Sequence, residues 1–176
     1  MVESVSFFLE ETMPRLAVAA GLFIIIFCAL PGCKRQRPPA PAAADPVYTP
    51  GLGEIMTLTQ MRHTKLWFAG QAGNWALASY EMDELKEGLE DAVLFHPAHK
   101  DSPLPIPDLI DKIMTLPIRK LADAVAAKDK KQFIAAFDDL TSACNQCHMA
   151  ANFGFNVVTR PTANPYTNQN FQPVHQ

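Results

Sequence analysis

Two cysteines and a histidine near the end of the chain stand in the run Cys144-Asn145-Gln146-Cys147-His148. This C-x-x-C-H spacing is the local signature for covalent attachment of a c-type haem. Two thiols can add across the two vinyl groups of the haem, and a helical turn brings both sulfurs to one side. The histidine after the second cysteine can then reach the iron as its proximal ligand. The motif therefore predicts one covalent haem c, attached through Cys144 and Cys147, with His148 as an iron ligand.

Other functions of a C-x-x-C pair are a structural zinc site and a thiol redox site. A structural zinc site needs about four ligands, and the remaining cysteines, Cys28 and Cys33, lie in a separate N-terminal segment. A thioredoxin-like pair opens a helix in a βαβ setting, whereas this pair closes a predicted helix with no predicted strand nearby. The context therefore favours haem attachment.

The start of the chain predicts export. An apolar run at residues 16–30 follows the basic Arg15 and precedes Cys33. A basic residue, an apolar core and a small residue before the cleavage point make up an export signal. Residues 1–33 are therefore predicted to be a signal. The segment LPGC, which ends at Cys33, resembles a bacterial lipobox, in which that cysteine carries the lipid and becomes the mature N-terminus.

The N-terminal segment leaves three arrangements open. The first twelve residues, MVESVSFFLEET, are acidic where a signal is usually basic, which favours Met13 as the working start. The apolar run is shorter than the ~20 residues that a membrane span needs, and Lys34 and Arg35 follow it. The sequence favours a lipoprotein over an uncleaved anchor, and an anchor over full release. The predicted location is the periplasmic side of the bacterial inner membrane, or the outer membrane as a lipoprotein.

One domain is predicted between two irregular segments. The chain has 176 residues, and about 140 remain after the export segment, which is enough for one hydrophobic core. Residues 34–50 are rich in proline and alanine and predict an extended tether. Residues 51–155 form the predicted haem-binding domain, and residues 156–176, rich in Asn, Gln, Thr and Pro, form an irregular tail. The net charge of −3 gives no indication of nucleic-acid binding.

Apolar residues between the tether and the tail recur at helical spacing. The pattern predicts four helices, over residues 52–69, 74–96, 106–128 and 130–152. Asn74 is the expected N-cap of the second helix, and Pro117 is expected to kink or break the third. Because the connections are short, the predicted fold is all-α, an up-down-up-down four-helix bundle with the haem motif at its C-terminal end.

The motif lies on the apolar face of the fourth helix, so the haem is predicted to lie inside the bundle. At a rise of ~1.5 Å per residue, His148 and Met56 lie at about the same distance from the end of the bundle that they share. Met56 is therefore the candidate distal iron ligand, while Met61 and His63 are expected to lie too far along the first helix. The predicted apolar walls of the haem pocket are Leu89, Val93, Leu109, Ile110 and Ile113.

The fourth helix resembles that of the cytochrome c-prime family, the class II cytochromes c. The similarity is most specific in AAKDKKQFIAAFDDLTSACNQCH, and GEIMTLTQM resembles the family's first helix. The resemblance implies Cys144 and Cys147 as attachment sites and His148 as the proximal ligand, and it puts Met56 at the distal position. It also implies a possible homodimer through the first two helices.

The chain departs from the family's pattern in two places. The family often has a basic residue four positions after the haem histidine, where this chain has Asn152. Gas chemistry that depends on a proximal cation is therefore not implied. The family also usually ends soon after the motif, whereas this chain continues to Gln176. The additional tail is expected either to cover the haem edge or to bind a partner.

The family divides into two functions, and both stay open. Some members leave the iron five-coordinate and bind nitric oxide or carbon monoxide, as sensors or scavengers. Others place a methionine on the iron and carry electrons, since a thioether ligand raises the reduction potential. Met56 favours a membrane-tethered electron carrier that serves redox partner proteins and is not an enzyme. If Met56 is only a core residue, as methionines at helical spacing often are, the gas-binding alternative applies.

Four other polar residues have simpler interpretations. His63 is expected to be a hydrogen-bonded core or surface histidine rather than a distal base. His96 and His99 close the second helix and are expected to be solvated or bonded to loops rather than to be ligands. Arg160, in the tail, is the candidate to reach a haem propionate.

Overall fold

The computed structural model describes residues 48–174, and every regular element in this range is helical. The elements are α1 (Leu52–Ala72), α2 (Trp75–Phe95), α3 (Ile106–Leu109), a π-helical turn (Ile110–Met114), α4 (Thr115–Ala126) and α5 (Lys130–Ala150). The segment from α3 to α4 is continuous, so the described residues form four helical rods and no strand. The predicted all-α class is confirmed. The predicted signal at residues 1–33, Cys33 and most of the tether lie outside the described residues.

Gly73 ends α1 in a left-handed backbone conformation, with a φ of 74°. The amide of Gly73 donates to the carbonyl of Gly70, and the amide of Asn74 donates to the carbonyl of Ala69. These two bonds are the usual way in which a glycine ends a helix. Asn74 then accepts a hydrogen bond from the amide of Leu77 and caps α2, as predicted.

Gly70 lies within α1, so the predicted end of this helix at residue 69 is too early. Gly70 is buried, and a Cβ at this position would lie 2.1 Å from Cζ of Phe133 on α5. The fully buried ring of Phe133 therefore fills the space that a side chain at position 70 would need. This glycine lets two helices approach each other and does not terminate the first of them.

Pro117 does not interrupt the third rod. Proline has no amide hydrogen, and its ring clashes with the carbonyl four residues earlier, which here belongs to Ile113. The wider π-helical turn at Ile110–Met114 ends just before the first turn of α4, where Pro117 is the third residue. The predicted break is therefore replaced by a local change of helical pitch.

Contacts between α1 and α5 run in opposite directions along the two helices. His63 Nε2 lies 2.8 Å from Thr141 Oγ1, and the His63 ring centroid lies 4.4 Å from that of Phe137. One turn further along α1, the Trp67 ring lies 4.9 Å from Phe137 and 6.2 Å from Phe133. Because residue numbers rise along α1 as they fall along α5, the two helices are antiparallel here, and these contacts define their register.

The apolar core consists of two clusters. The larger cluster surrounds Phe133 and Phe137, and the smaller one consists of Ile55, Ala92, Ile106, Leu109 and Ala151. Four partly buried residues pack against both clusters, and we call them the cluster boundary: Met56, Ile110, Ile113 and Cys147. All four belong to the residues that the sequence assigns to the haem site.

The tail after α5 is irregular, as predicted, but it is packed against the helices. Val158 and Phe171 are buried, and the Phe171 ring lies 5.7 Å from that of Phe68 on α1. Among residues 48–174, no helix combines the length and the hydrophobicity that a membrane span requires.

Candidate haem site

The motif occupies the last turns of α5, with Cys144 and Cys147 one turn apart on the same face. Both thiols are free. Burial, with a smaller effect of Cys147, raises the pKa of Cys144 to about 12, and burial also raises the pKa of Cys147. Redox-active cysteines have lowered pKa values, because the thiolate is the reactive form. The burial of this pair raises both pKa values instead of lowering them, which is the opposite of what a thiol redox centre needs.

The ring of His148 is oriented by the tail. His148 Nδ1 lies 2.7 Å from the backbone carbonyl oxygen of Asn156. Because a carbonyl oxygen only accepts, Nδ1 carries the proton and donates it. In the neutral imidazole, the other ring nitrogen, Nε2, then has its lone pair available for a metal ion. This is the tautomer that an iron-binding histidine requires.

Asn152, at the position where the family often has a basic residue, takes part in ending α5. The amide of Phe153 donates to the carbonyl of His148 at 2.7 Å, and the amide of Asn152 donates to that of Met149 at 3.2 Å. Asn152 has a φ of 67°, in the left-handed region that asparagine tolerates better than most residues. The position ends α5 and turns the chain back toward His148.

The first intervening residue of the motif also bonds to the tail. Asn145 Nδ2 donates to the carbonyl of Val158, and Asn145 Oδ1 accepts from the amide of Val158, both at 2.8 Å. The motif spacing did not predict this pair of bonds, nor the bond from His148 to Asn156. The asparagine between the cysteines was the one residue that could have indicated these bonds, since a carboxamide can both donate to a backbone carbonyl and accept from a backbone amide.

The register of α1 and α5 brings Met56 to the level of His148. Met56 lies seven residues before His63, and His148 lies seven residues after Thr141. Seven residues are close to two helical turns and rise ~10.5 Å. Since His63 and Thr141 are bonded to each other and the helices are antiparallel, the two shifts match in length and preserve the facing sides. From these contacts, which lie ~10 Å away along the helices, we infer that Met56 lies at the level of His148.

Two observations are consistent with this level. Met56 and Cys147 both belong to the cluster boundary, and both are partly buried. The remaining boundary residues, Ile110 and Ile113, come from the π-helical turn. Of the other predicted wall residues, Leu89 is buried in the larger cluster, Leu109 belongs to the smaller one, and Val93 packs against the smaller one. The predicted walls thus lie on both sides of the boundary.

The remaining histidines lie in other environments. His63 is buried and bonded to Thr141, and burial lowers its pKa to about 4. It is the core histidine that the sequence favours. His96 Nε2 lies 2.8 Å from the carbonyl oxygen of Pro50, and His99 Nδ1 accepts from the amide of Asp101. Both are bonded to loops, as expected.

Arg160, the candidate to reach a haem propionate, is paired with a carboxylate in the middle of α5. Arg160 Nε donates to Asp138 Oδ1 at 2.9 Å, its second nitrogen pairs with Oδ2, and its guanidinium lies 4.7 Å from the Trp67 ring centroid. Asp138 lies ten residues before His148 on α5, which is ~15 Å along the helix. Arg160 instead attaches the tail to the middle of the bundle.

Comparisons of the chain with protein-family models, with curated proteins and with solved structures found no match. The resemblance to the cytochrome c-prime family therefore depends on the residues of this chain. Two surface grooves, of about 320 and 420 Å³, include no residue of the motif. Within residues 48–174, no three His, Cys, Asp or Glu side chains form a cluster that could hold a metal ion.

The residues present fit a haem. Two protonated thiols on one helical face are the groups that add to vinyl substituents. A histidine with its Nε2 lone pair free follows them, and Met56 lies at the same level on the facing helix. The cluster boundary between them is apolar, as a haem ring requires.

Proposed function

We propose that this chain is a monohaem c-type cytochrome that transfers electrons and is not an enzyme. Cys144 and Cys147 attach the haem, His148 is the proximal iron ligand and Met56 is the distal one. The observation that carries the proposal is the match in level between His148, whose Nε2 lone pair is free, and Met56. We also propose an up-down-up-down bundle, which the opposite order of contacts along α1 and α5 supports.

The chain's own residues would tune the bound iron. The haem supplies a one-electron ferric/ferrous couple. The bond from His148 Nδ1 to Asn156 fixes the ring orientation and makes the imidazole a stronger donor. The thioether of Met56 favours the ferrous state and raises the potential. Ile110 and Ile113 supply apolar surface that excludes water from the haem.

The hydroxyls on α1 near Met56 support a carrier rather than an enzyme. Thr57 Oγ1 donates to the carbonyl of Gly53 at 2.7 Å, and Thr59 Oγ1 donates to that of Ile55 at 2.9 Å. Both hydroxyl protons are therefore used within α1. Acid–base chemistry on a bound oxidant needs a positioned proton donor, and neither threonine is free to provide one.

Partners and location remain part of the proposal. Redox proteins would exchange electrons at the haem edge, beside the apolar side chains of Met149 and Phe155, which are 70% and 82% exposed. Export, and attachment to the membrane through a lipid on Cys33 or an N-terminal anchor, would put the domain on the outer side of the bacterial inner membrane or on the outer membrane. A homodimer through α1 and α2 is the assembly that the family resemblance suggests.

The test is the optical spectrum of the purified protein, with covalent haem first established by the pyridine haemochrome. We expect a low-spin ferric spectrum with a methionine-to-iron band at about 695 nm, the marker of His/Met ligation. Met56→Ala should abolish this band and leave a high-spin haem. Met61→Ala on the same helix is the matched control and should retain the band. A band that persists in Met56→Ala would contradict the assignment.

The alternative is a five-coordinate protein that binds nitric oxide or carbon monoxide. One observation favours it: Met56 packs against both apolar clusters, as a methionine with only a core role would. In that case the wild-type ferrous protein would be high-spin and would shift readily with carbon monoxide. Met56→Ala would then leave the ferric spectrum unchanged.

A further inference from the structure

The side chain of Asn145 is bonded to both backbone polar groups of Val158, its N–H and its C=O. Its Nδ2 and Oδ1 match the carbonyl and the amide of this one residue, each at 2.8 Å. Val158 is buried and Asn145 is partly buried, so water competes little for either bond. An asparagine between the two motif cysteines thus fixes the position of a residue in the tail.

The segment from Phe153 to Val158 is held at both ends. At its start, the amide of Phe153 donates to the carbonyl of His148 at 2.7 Å, and the amide of Asn156 donates to the carbonyl of Phe153 at 2.8 Å. At its end, Asn145 holds Val158. The carbonyl of Asn156, which accepts the bond from His148 Nδ1, lies between these two attachments. Its position therefore depends on both of them.

We propose that Asn145 is a positioning residue for the proximal histidine and acts through the tail. It holds Val158, which keeps the Asn156 carbonyl on His148 Nδ1 and thereby fixes the tautomer, the ring orientation and the donor strength of the iron ligand. This inference rests on the proposed haem site. It also assigns a role to the tail: the segment after the motif holds the proximal ligand at Nδ1, the ring nitrogen that does not face the iron.

The expected consequence has a defined sign. Without the Asn145 carboxamide, Val158 is released, the Asn156 carbonyl moves away and His148 Nδ1 turns to water. A histidine whose Nδ1 bond is weaker donates less to the iron. Ferric iron depends more on that donation than ferrous iron does, so the reduction potential rises. A tenfold change in the ferric/ferrous equilibrium corresponds to ~59 mV for one electron, and we expect a rise of up to this size.

The experiment compares Asn145→Ala with Gln146→Ala in the full-length protein with its haem bound. Gln146, the other residue between the cysteines, is exposed, and its side chain bonds only to Ser142 within α5. The readouts are the midpoint potential and the solvent exchange of the His148 Nδ1 proton, measured by NMR. Asn145→Ala should raise the potential and speed the exchange at least tenfold, while Gln146→Ala should match the wild type. Equal values in the two variants would overturn the proposal.

Two further measurements separate this inference from the proposed function. The pyridine haemochrome of the wild type reports covalent haem, and its absence would refute the proposed function alone. If the purified wild type carries no haem, the His148 tautomer and the exchange of the Val158 amide in that protein must still respond to Asn145→Ala. If that variant does not fold, Asn145→Asp replaces it. It keeps the acceptor to the Val158 amide and loses the donor. It should therefore speed the exchange of the Val158 amide and of the His148 Nδ1 proton, by less than Asn145→Ala does; exchange as slow as in the wild type would overturn the proposal.

Discussion

Replacing Gly70 with alanine tests the helix register from which the position of Met56 follows. The new Cβ would lie 2.1, 2.3 and 2.6 Å from three ring atoms of Phe133, where ordinary contacts begin at about 3.4 Å. The ring would have to move by more than an ångström. It has little room to do so, because Phe133 is fully buried and packs against Trp67, Trp75 and Phe137.

The size of the effect follows from two opposing contributions. Overpacking of a filled core costs about 1–3 kcal/mol, and the displacement required here points to the upper end. Alanine in place of glycine within a helix stabilises by roughly 0.5–1 kcal/mol. We therefore expect Gly70→Ala to lower the free energy of unfolding by about 2 kcal/mol. Gly53→Ala, on the same helix and with no atom within 4 Å of the new Cβ, should be neutral or stabilising.

Urea unfolding of the purified protein, followed by far-ultraviolet circular dichroism, measures both variants. For Gly70→Ala, the urea concentration at the unfolding midpoint should fall, while the slope of the free energy of unfolding against urea concentration stays unchanged. This combination reports a loss of stability rather than a change in the surface exposed on unfolding. If Gly70→Ala is as stable as Gly53→Ala, then Phe133 does not pack on α1 as described. The register of α1 and α5 would then be wrong, and with it the level of Met56.

Two further predictions concern His63 and Asn152. Burial lowers the pKa of folded His63 to about 4 from its ordinary 6.5, so the unfolded chain takes up this proton at a higher pH than the folded protein does. The free energy of unfolding should therefore fall by up to about 3 kcal/mol as the pH drops from 6.5 toward 4. In urea unfolding, His63→Leu should remove this part of the pH dependence, and an unchanged pH dependence in this variant would contradict the prediction. Asn152 has a left-handed backbone, so Asn152→Gly should be tolerated. Asn152→Val should lower the free energy of unfolding by about 1–2 kcal/mol. Equal stability of the two variants would show that the left-handed conformation does not limit the residue at this position.

The helices were predictable where the local sequence decides them. Asn74 caps α2 because its side chain reaches an amide three residues on, a purely local bond. Gly70 and Pro117 were misread because their effects depend on other parts of the chain. A glycine that admits the ring of Phe133 cannot be distinguished, from its neighbours in sequence, from one that ends a helix. A proline can likewise be accommodated by a wider turn before it, which no residue pattern announces.

In the candidate site, too, the features set by local sequence were predictable and those set by distant contacts were not. Cys144, Cys147 and His148 were found from their spacing, since one helical turn determines their geometry. The groups behind His148 were not found, because the tail has no period and its course is set by single bonds. Asn145 holds Val158, and Arg160 binds Asp138 rather than a haem propionate.

The two axial positions of the proposed haem are controlled by different parts of the fold. The proximal position depends on Asn145 and the tail, close to the motif. The distal position depends on the register of α1 against α5, which Phe133 and Gly70 help to set. Phe133 lies well before His148 on the same helix, ~22 Å away along its axis. Substitutions at separate sites with no shared partners act additively. The effects of Asn145→Ala and Gly70→Ala on stability should therefore add. Asn145→Ala and Met56→Ala both change donation to the same iron, so their effects on the reduction potential should not add. The single and double variants together form a double-mutant cycle. Additive effects on stability would show that the parts of the fold behind the two ligands are independent, and non-additive effects would show that they are coupled.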